Sequence, residues 1–144
     1  MKLAIVNGPN LNLTGKREVD LYGTQNFENF IAEIDEQYAS CEFVYLQSNV
    51  EGELINFLHE LNDQAEISGI LLNAGAYSHT SLAIADAVSG IEKEVIEIHL
   101  SNVFKREEVR HISHISKVVS GSISGFGMDG YKLGVQYFIN RNQR

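Results

Sequence analysis

The chain has one cysteine, one proline and no tryptophan among its 144 residues, and its formal net charge is -8. A single cysteine excludes an internal disulfide and fits a reducing compartment. Cys41 reads as a small apolar residue in a strand. The acidic balance argues against nucleic acid as a partner, because phosphate binding needs a basic surface, and the adjacent Lys105 and Arg106 make no groove by themselves. No apolar run approaches membrane-spanning length and the N-terminus lacks a signal-peptide pattern. The expectation is therefore a soluble, cytoplasmic protein without a membrane partner. The nucleotide fingerprints Gly-x-Gly-x-x-Gly and Gly-x-x-x-x-Gly-Lys-Ser/Thr do not follow the first apolar run, which disfavours a dinucleotide or triphosphate site. His111 and His114 lie three apart with no third ligand nearby, so no metal is expected.

What is present is a regular alternation. Leu3 to Val6, Phe43 to Leu46, Ile70 to Leu72, Val95 to Ile98 and Val118 to Ile123 are short apolar runs, as expected of strands covered on both faces. Between them, Phe27, Phe30, Ile31, Ile34 and Tyr38 recur at helical spacing. Leu54, Ile55, Leu58 and Leu61 mark a second helix opened by Glu51 and Glu53. Residues 80–89 read as a helix apolar nearly all round, interrupted by Asp86 and ended by Gly90. A last helix carries Tyr131, Val135, Phe138 and Ile139, with Gly130 and Gly134 placed for close packing. The pattern predicts one α/β domain over residues 1–144, a flavodoxin-like doubly wound sandwich with a five-stranded parallel sheet and helices on both faces.

In such a sheet all strand C-termini share one edge, where ligands bind. Each strand turns polar there: Asn7, Ser48 and Asn49, Asn73, His99 and Ser101, then Gly121. Residues 7–24 form a loop long for a compact domain, with Arg17 and Tyr22 in it, and such loops are commonly functional. Alternation along the fourth strand puts Glu97 and His99 on one face, where the carboxylate can hold the tautomer of an acid–base imidazole. Gly121 to Gly127 reads either as an anion cradle or as a tight strand-to-helix turn.

Seven blocks in order, Asn-Gly-Pro-Asn-Leu-Asn-Leu, Lys-Arg-Glu-x-x-x-Tyr-Gly, Gln-Ser-Asn-x-Glu-Gly-Glu-Leu, Asn-x-Gly-Ala-Tyr-x-His-Thr-Ser, Glu-x-His-Leu-Ser-Asn, Arg-Glu-Glu-x-Arg-His and Gly-Phe-Gly-x-x-Gly-Tyr, resemble the type II 3-dehydroquinate dehydratases over essentially the whole chain. Val19, Ala74 and His114 depart from the family pattern, where proline, proline and an aromatic are common. The resemblance implies a hydro-lyase of the shikimate pathway's third step, converting 3-dehydroquinate to 3-dehydroshikimate by anti elimination through an enolate, without cofactor or metal.

Carried over residue by residue, the resemblance makes Tyr22 the base that takes a proton from the carbon next to the ketone. Tyrosine's reference pKa is about 10, so work near neutrality needs roughly 4 kcal/mol of help. An arginine about 4 Å away supplies on the order of that at an effective dielectric near 20. Arg17 is the first candidate and Arg110 the second. Asn10 would hold the enolate oxygen, through a water, and His99, oriented by Glu97, would protonate the departing hydroxyl. Backbone amides around Leu100 and Ser101 would bind the substrate carboxylate, with Asn73, His79 and Arg110 on its hydroxyls. Asp86 would reach a neighbouring subunit's site, since the family forms trimers that assemble into dodecamers. A mobile lid is expected over residues 14–24. The alternative function on the same fold is a flavin-binding electron carrier, and a third reading is a silent binding module.

Overall fold

The computed structural model of the chain describes residues 1–16 and 25–143. Arg17, Tyr22 and most of the expected lid lie outside the described residues. The elements run β1 (Lys2–Asn7), α1 (Phe27–Gln37), β2 (Glu42–Gln47), α2 (Glu51–Asn62), β3 (Ile67–Asn73), α3 (Leu82–Gly90), β4 (Val95–His99), β5 (Gly121–Ser124) and α4 (Asp129–Asn142), with short 3-10 turns between some of them. The five strands form one sheet in the order β2-β1-β3-β4-β5, and every neighbouring pair is parallel.

Alternation explains the layers. Leu3, Ile5, Leu71, Ile96 and Ile98 face α1 and α4, packing on Phe30, Ile34, Tyr131 and Val135. Ala4, Val6, Ile70, Leu72 and Val95 face the other way, onto Leu54, Leu58 and Leu61 of α2 and Ile84 and Val88 of α3. A strand buried on both faces needs a continuous apolar run, which is what β1 and β3 carry. The approach of α4 depends on Gly134, because a Cβ there would lie 2.5 Å from Leu71 Cδ2. Gly130 has ordinary contact distances, so only one member of the expected glycine pair is needed for packing. Gly69 on β3 makes a second close approach, to the Phe138 ring.

Two boundaries differ from expectation. The third helix begins at Leu82 because the Ser81 hydroxyl accepts from the Ile84 N–H at 2.9 Å and caps it, and Gly75–His79 form a separate 3-10 turn. Its outward residues Leu82, Ala83 and Asp86 are exposed, so it is not buried all round. The fifth strand begins at Gly121, not Val118. Ile115–Lys117 form a 3-10 turn, and Val118 N–H closes it on the Ile115 carbonyl at 3.0 Å, so Val118 stays out of the ladder. The polar end of β5 is therefore Ser124, and Gly121 opens the strand. No helix among the described residues is long and apolar enough to cross a membrane.

Candidate active site

The order β2-β1-β3 reverses direction between β1 and β3, and the C-terminal ends of strands at such a switch point form a crevice. The loops after β1 and β3 meet there closely. Gly8 N–H donates to the Asn73 carbonyl at 2.7 Å, and a Cβ on Gly8 would lie 2.4 Å from the Ala74 carbonyl oxygen. Backbone stands in that place, so it cannot swing aside as a side chain could. Gly8→Ala is expected to cost about 1–3 kcal/mol of stability, as overpacking does, and denaturant titration of the purified variant measures it.

Asn10 follows in the left-handed region at φ 66°, the only described non-glycine residue with positive φ. Asparagine tolerates that conformation better than most residues. Asn49, after β2, fixes it: Asn49 Oδ1 accepts from Asn10 N–H at 2.9 Å and from Gln47 Nε2 at 3.1 Å, while Tyr77 Oη donates to the Asn49 carbonyl at 2.9 Å. Gln47 Nε2 also approaches the Gly8 carbonyl at 3.2 Å. The turn is thus braced by groups from β2 and β3, and the exposed Asn10 lines the cleft.

Asn73 is held from beneath. Its Nδ2 donates to the Tyr131 hydroxyl at 3.0 Å, and its Oδ1 accepts from Gly75 N–H at 3.2 Å. Tyr131 in turn donates to Asn7 Oδ1 at 2.6 Å. Burial pushes the Tyr131 phenol well above its ordinary value, against the opposing hydrogen bonds from Asn73 and Asn7, so it remains a proton donor. By sequence Tyr131 is one apolar position of a helix. In the structure it is the polar support under both asparagines.

On β4, Glu97 is fully buried and lies 2.9 Å from His99 Nε2 through Oε1. Burial alone would raise this carboxyl. The hydrogen bond and charge of His99, together with the Ser113 and Ser116 hydroxyls, outweigh it and hold Glu97 at about 2. Because the folded value lies below the ordinary 4.5, the stabilisation is complete above the unfolded value and is lost as pH falls through the folded one. The stability difference between the parent and Glu97→Gln should therefore shrink between pH 5 and pH 2, by on the order of 3 kcal/mol. Paired denaturant titrations at the two pH values check this.

His79 stacks on His99 with ring centroids 5.9 Å apart. Its Nδ1 donates to the Ile112 carbonyl at 2.8 Å, which leaves Nε2 as an acceptor in the neutral ring. Burial lowers its pKa, the Ile112 carbonyl opposes this, and the nearby His99 and Arg110 lower it further, so the neutral form prevails at pH 7. Two guanidiniums close the far side. Arg110 Nε bonds Glu107 Oε2 at 3.1 Å, and Arg106 reaches the Ser101 hydroxyl at 3.5 Å. Arg106 was invisible as a site residue because its charge reads as a surface pair with Lys105. The signal that could have found it is its place four residues before Arg110, in the same block.

Leu100 and Ser101 follow β4 and line the cleft with their carbonyls already engaged. Gly125 N–H donates to the His99 carbonyl at 3.1 Å, Gly127 N–H to that of Leu100 at 2.9 Å, and Ser124 Oγ to that of Ser101 at 3.1 Å. The glycine-rich segment is thus a turn, with Gly125 and Gly127 at positive φ and these N–H groups used within the protein. His111 is likewise occupied, its Nε2 lying 3.0 Å from the Arg106 carbonyl.

One cleft therefore brings together Asn10, Asn73, His79, His99, Leu100, Ser101, Arg106 and Arg110, with Glu97 behind His99. It does not include Asp86, which is exposed on α3. Arginines, amides and a neutral imidazole acceptor suit an anion bearing hydroxyls. A carboxylate-paired histidine supplies acid–base chemistry.

The family model Dehydroquinase class II matches residues 1–139. The chain is 48% identical to a 3-dehydroquinate dehydratase of Bacillus licheniformis, covering 99% of this chain and 98% of that one. It is 44% identical to one from Chlorobaculum tepidum, covering 99% and 96%. Among solved structures, a type II dehydroquinase from Butyrivibrio crossotus superposes with a TM-score of 0.91 at 40% identity, covering 96% of this chain and 97% of that one.

Proposed function

The chain belongs to the class II dehydroquinase family, and we propose that its cleft dehydrates 3-dehydroquinate to 3-dehydroshikimate with Tyr22 as base and His99 as acid. The observation that carries this reading is the His99–Glu97 pair, 2.9 Å apart, opening on the same cleft as Asn10, Asn73, His79 and the two arginines. Tyr22 removes a proton from the carbon next to the ketone. Arg17 stabilises its phenolate, and Asn10 stabilises the enolate oxygen through a water. His99 then gives its proton to the hydroxyl that leaves on the opposite face, an anti elimination. The Leu100 and Ser101 amides and Arg106 receive the substrate carboxylate, and Asn73, His79 and Arg110 its hydroxyls. The chemistry is supplied by side chains, without metal or cofactor.

The alternative of a flavin-binding electron carrier is not supported, since the family match and the relatives are dehydratases. As a cytoplasmic enzyme of the shikimate pathway, the protein assembles as trimers within a dodecamer. There Asp86, exposed on α3 beside the exposed Leu82, completes the site of a neighbouring subunit. Light scattering tests the assembly.

The stereochemical course has its own test. With substrate deuterated at one of the two positions on the carbon next to the ketone, one epimer should lose essentially all its label and the other should keep it. Label lost equally from both epimers would refute a fixed base. Arg17→Lys is expected to turn over at least about tenfold more slowly, because lysine lacks the planar fork and places its charge differently. Steady-state kinetics of the purified variant decides it, and native turnover would remove Arg17 from its role.

A further inference from the structure

Glu97 is shut away from solvent in the middle of β4, yet hydroxyls from two distant segments converge on it. Oε1 accepts from His99 Nε2 at 2.9 Å and from Ser113 Oγ at 2.6 Å. Oε2 accepts from Ser122 Oγ at 2.9 Å and from Ser116 Oγ. An ionised carboxylate has about four acceptor positions, and four donors are present.

Ser113 has a second task that explains its place. Its Oγ also accepts from the N–H groups of Ile115 and Ser116, each at 3.1 Å, and so shapes the 3-10 turn. Ser122 comes from β5 and sits in register opposite Glu97; its hydroxyl also lies 3.3 Å from Ser116 Oγ, farther than the 2.9 Å to the carboxylate. Its residue is exposed on the outer side while its hydroxyl turns to the carboxylate.

We propose that Ser113, Ser116 and Ser122 are positioning residues for the acid His99, because they occupy the Glu97 carboxylate and make it a weaker base. This rests on the reading of His99 as the acid. With Nε2 committed to Glu97, Nδ1 is the ring nitrogen that hands over the proton. The C–O bond breaks with its electron pair on oxygen, the Nδ1 proton joins that oxygen, and water departs. The ring is left neutral with its Nε2–H still on Glu97. The proton taken by Tyr22 returns to the ring through solvent, so a turnover releases one water and leaves the protein unchanged. A carboxylate with fewer donors would hold the imidazolium more tightly and slow that transfer.

The other charged or titratable groups around His99 are His79, stacked on its ring, and Arg106 and Arg110, both on Glu107. His111 lies on the Arg106 carbonyl, and Lys117 lines a second cleft with His99, Ser116 and Ser122. A change at Ser122 alters none of them, and truncating an exposed side chain leaves no buried cavity.

The experiment measures kcat and KM against pH for the parent, Ser122→Ala, Ser122→Thr and His99→Ala, with melting temperatures alongside. Ser122→Ala should fold, melting at most a few degrees below the parent, and keep KM within about twofold. Its kcat on the plateau below the basic limb should fall about three- to tenfold, a fraction of the worth of one hydrogen bond to a charged group, because that bond reaches the transferring proton only through Glu97 and the imidazole. The basic limb of its kcat profile should move to higher pH, and Ser122→Thr should restore both. A parent-like kcat and limb in Ser122→Ala overturns the proposal, as does a loss in which the melting temperature falls and the limb stays in place. His99→Ala separates the two levels. If it is inactive while Ser122→Ala is parent-like, only the serine role fails; if it turns over normally, the assignment of His99 fails with it.

Discussion

His99→Ala is expected to lose about a hundred- to ten-thousandfold in kcat, with KM changed only a few-fold. General acids contribute on that scale. The split follows from where His99 sits. Its Nε2 is engaged by Glu97, its ring is stacked on His79, and it is nearly buried, so it offers the cleft a proton more than a grip on the ground-state substrate. In the proposed mechanism, binding falls instead to the arginines, Asn73 and His79. A variant that loses transition-state contacts alone lowers kcat and kcat/KM together. A KM that rose a hundredfold with kcat preserved would recast His99 as a binding residue. Removing the imidazole also strands Glu97, a fully buried carboxylate held at about 2 largely by that ring. The companion variant His99→Gln keeps a donor on Glu97 and separates lost chemistry from lost stability.

Tyr22→Phe is expected to lose at least about a hundredfold in turnover, while the circular dichroism spectrum and melting temperature stay those of the parent. Phenylalanine keeps the ring and removes only the oxygen that would take the proton. The phenolate needs a cation to form near neutral pH, because closure over it would desolvate its charge. Tyr22→Phe and Arg17→Ala should therefore be strongly non-additive, since the second change removes support for a group that the first has already removed. Near-parent turnover in purified Tyr22→Phe would rule out this base.

The layers of the fold could be read in advance because β1 and β3 are apolar on both faces and their flanking helices keep a helical period. The fifth strand begins three residues later than expected because Val118 and Val119 look like strand, while the closing of the Ile115–Lys117 turn depends on backbone bonds that composition does not reveal. Residues 103–117 have no period at all, being short 3-10 turns, and they supply Arg106, Arg110, Ser113 and Ser116 to the site. Within the site, strand alternation was enough to pair Glu97 with His99. It could not show the serines around Glu97, nor Tyr131 beneath Asn7, a contact across 124 positions. Short-range periodicity reports which face a residue occupies. Partners that meet only through the fold leave no local trace.

Asn10 shows the same division. As one asparagine in a polar loop it is unremarkable, and its placement rests on Gln47 at the end of β2, Asn49 just after it and Tyr77 after β3. The Gly8–Asn10 turn is fixed by those braces and by the close approach of Gly8 to Ala74.

The most direct measurement is to mix the purified protein with 3-dehydroquinate and follow the ultraviolet absorbance of the conjugated enone. An immediate rise is expected, at a rate proportional to protein concentration and stopping short of complete conversion, because the dehydration is reversible. A flat trace from correctly folded protein at saturating substrate would contradict it.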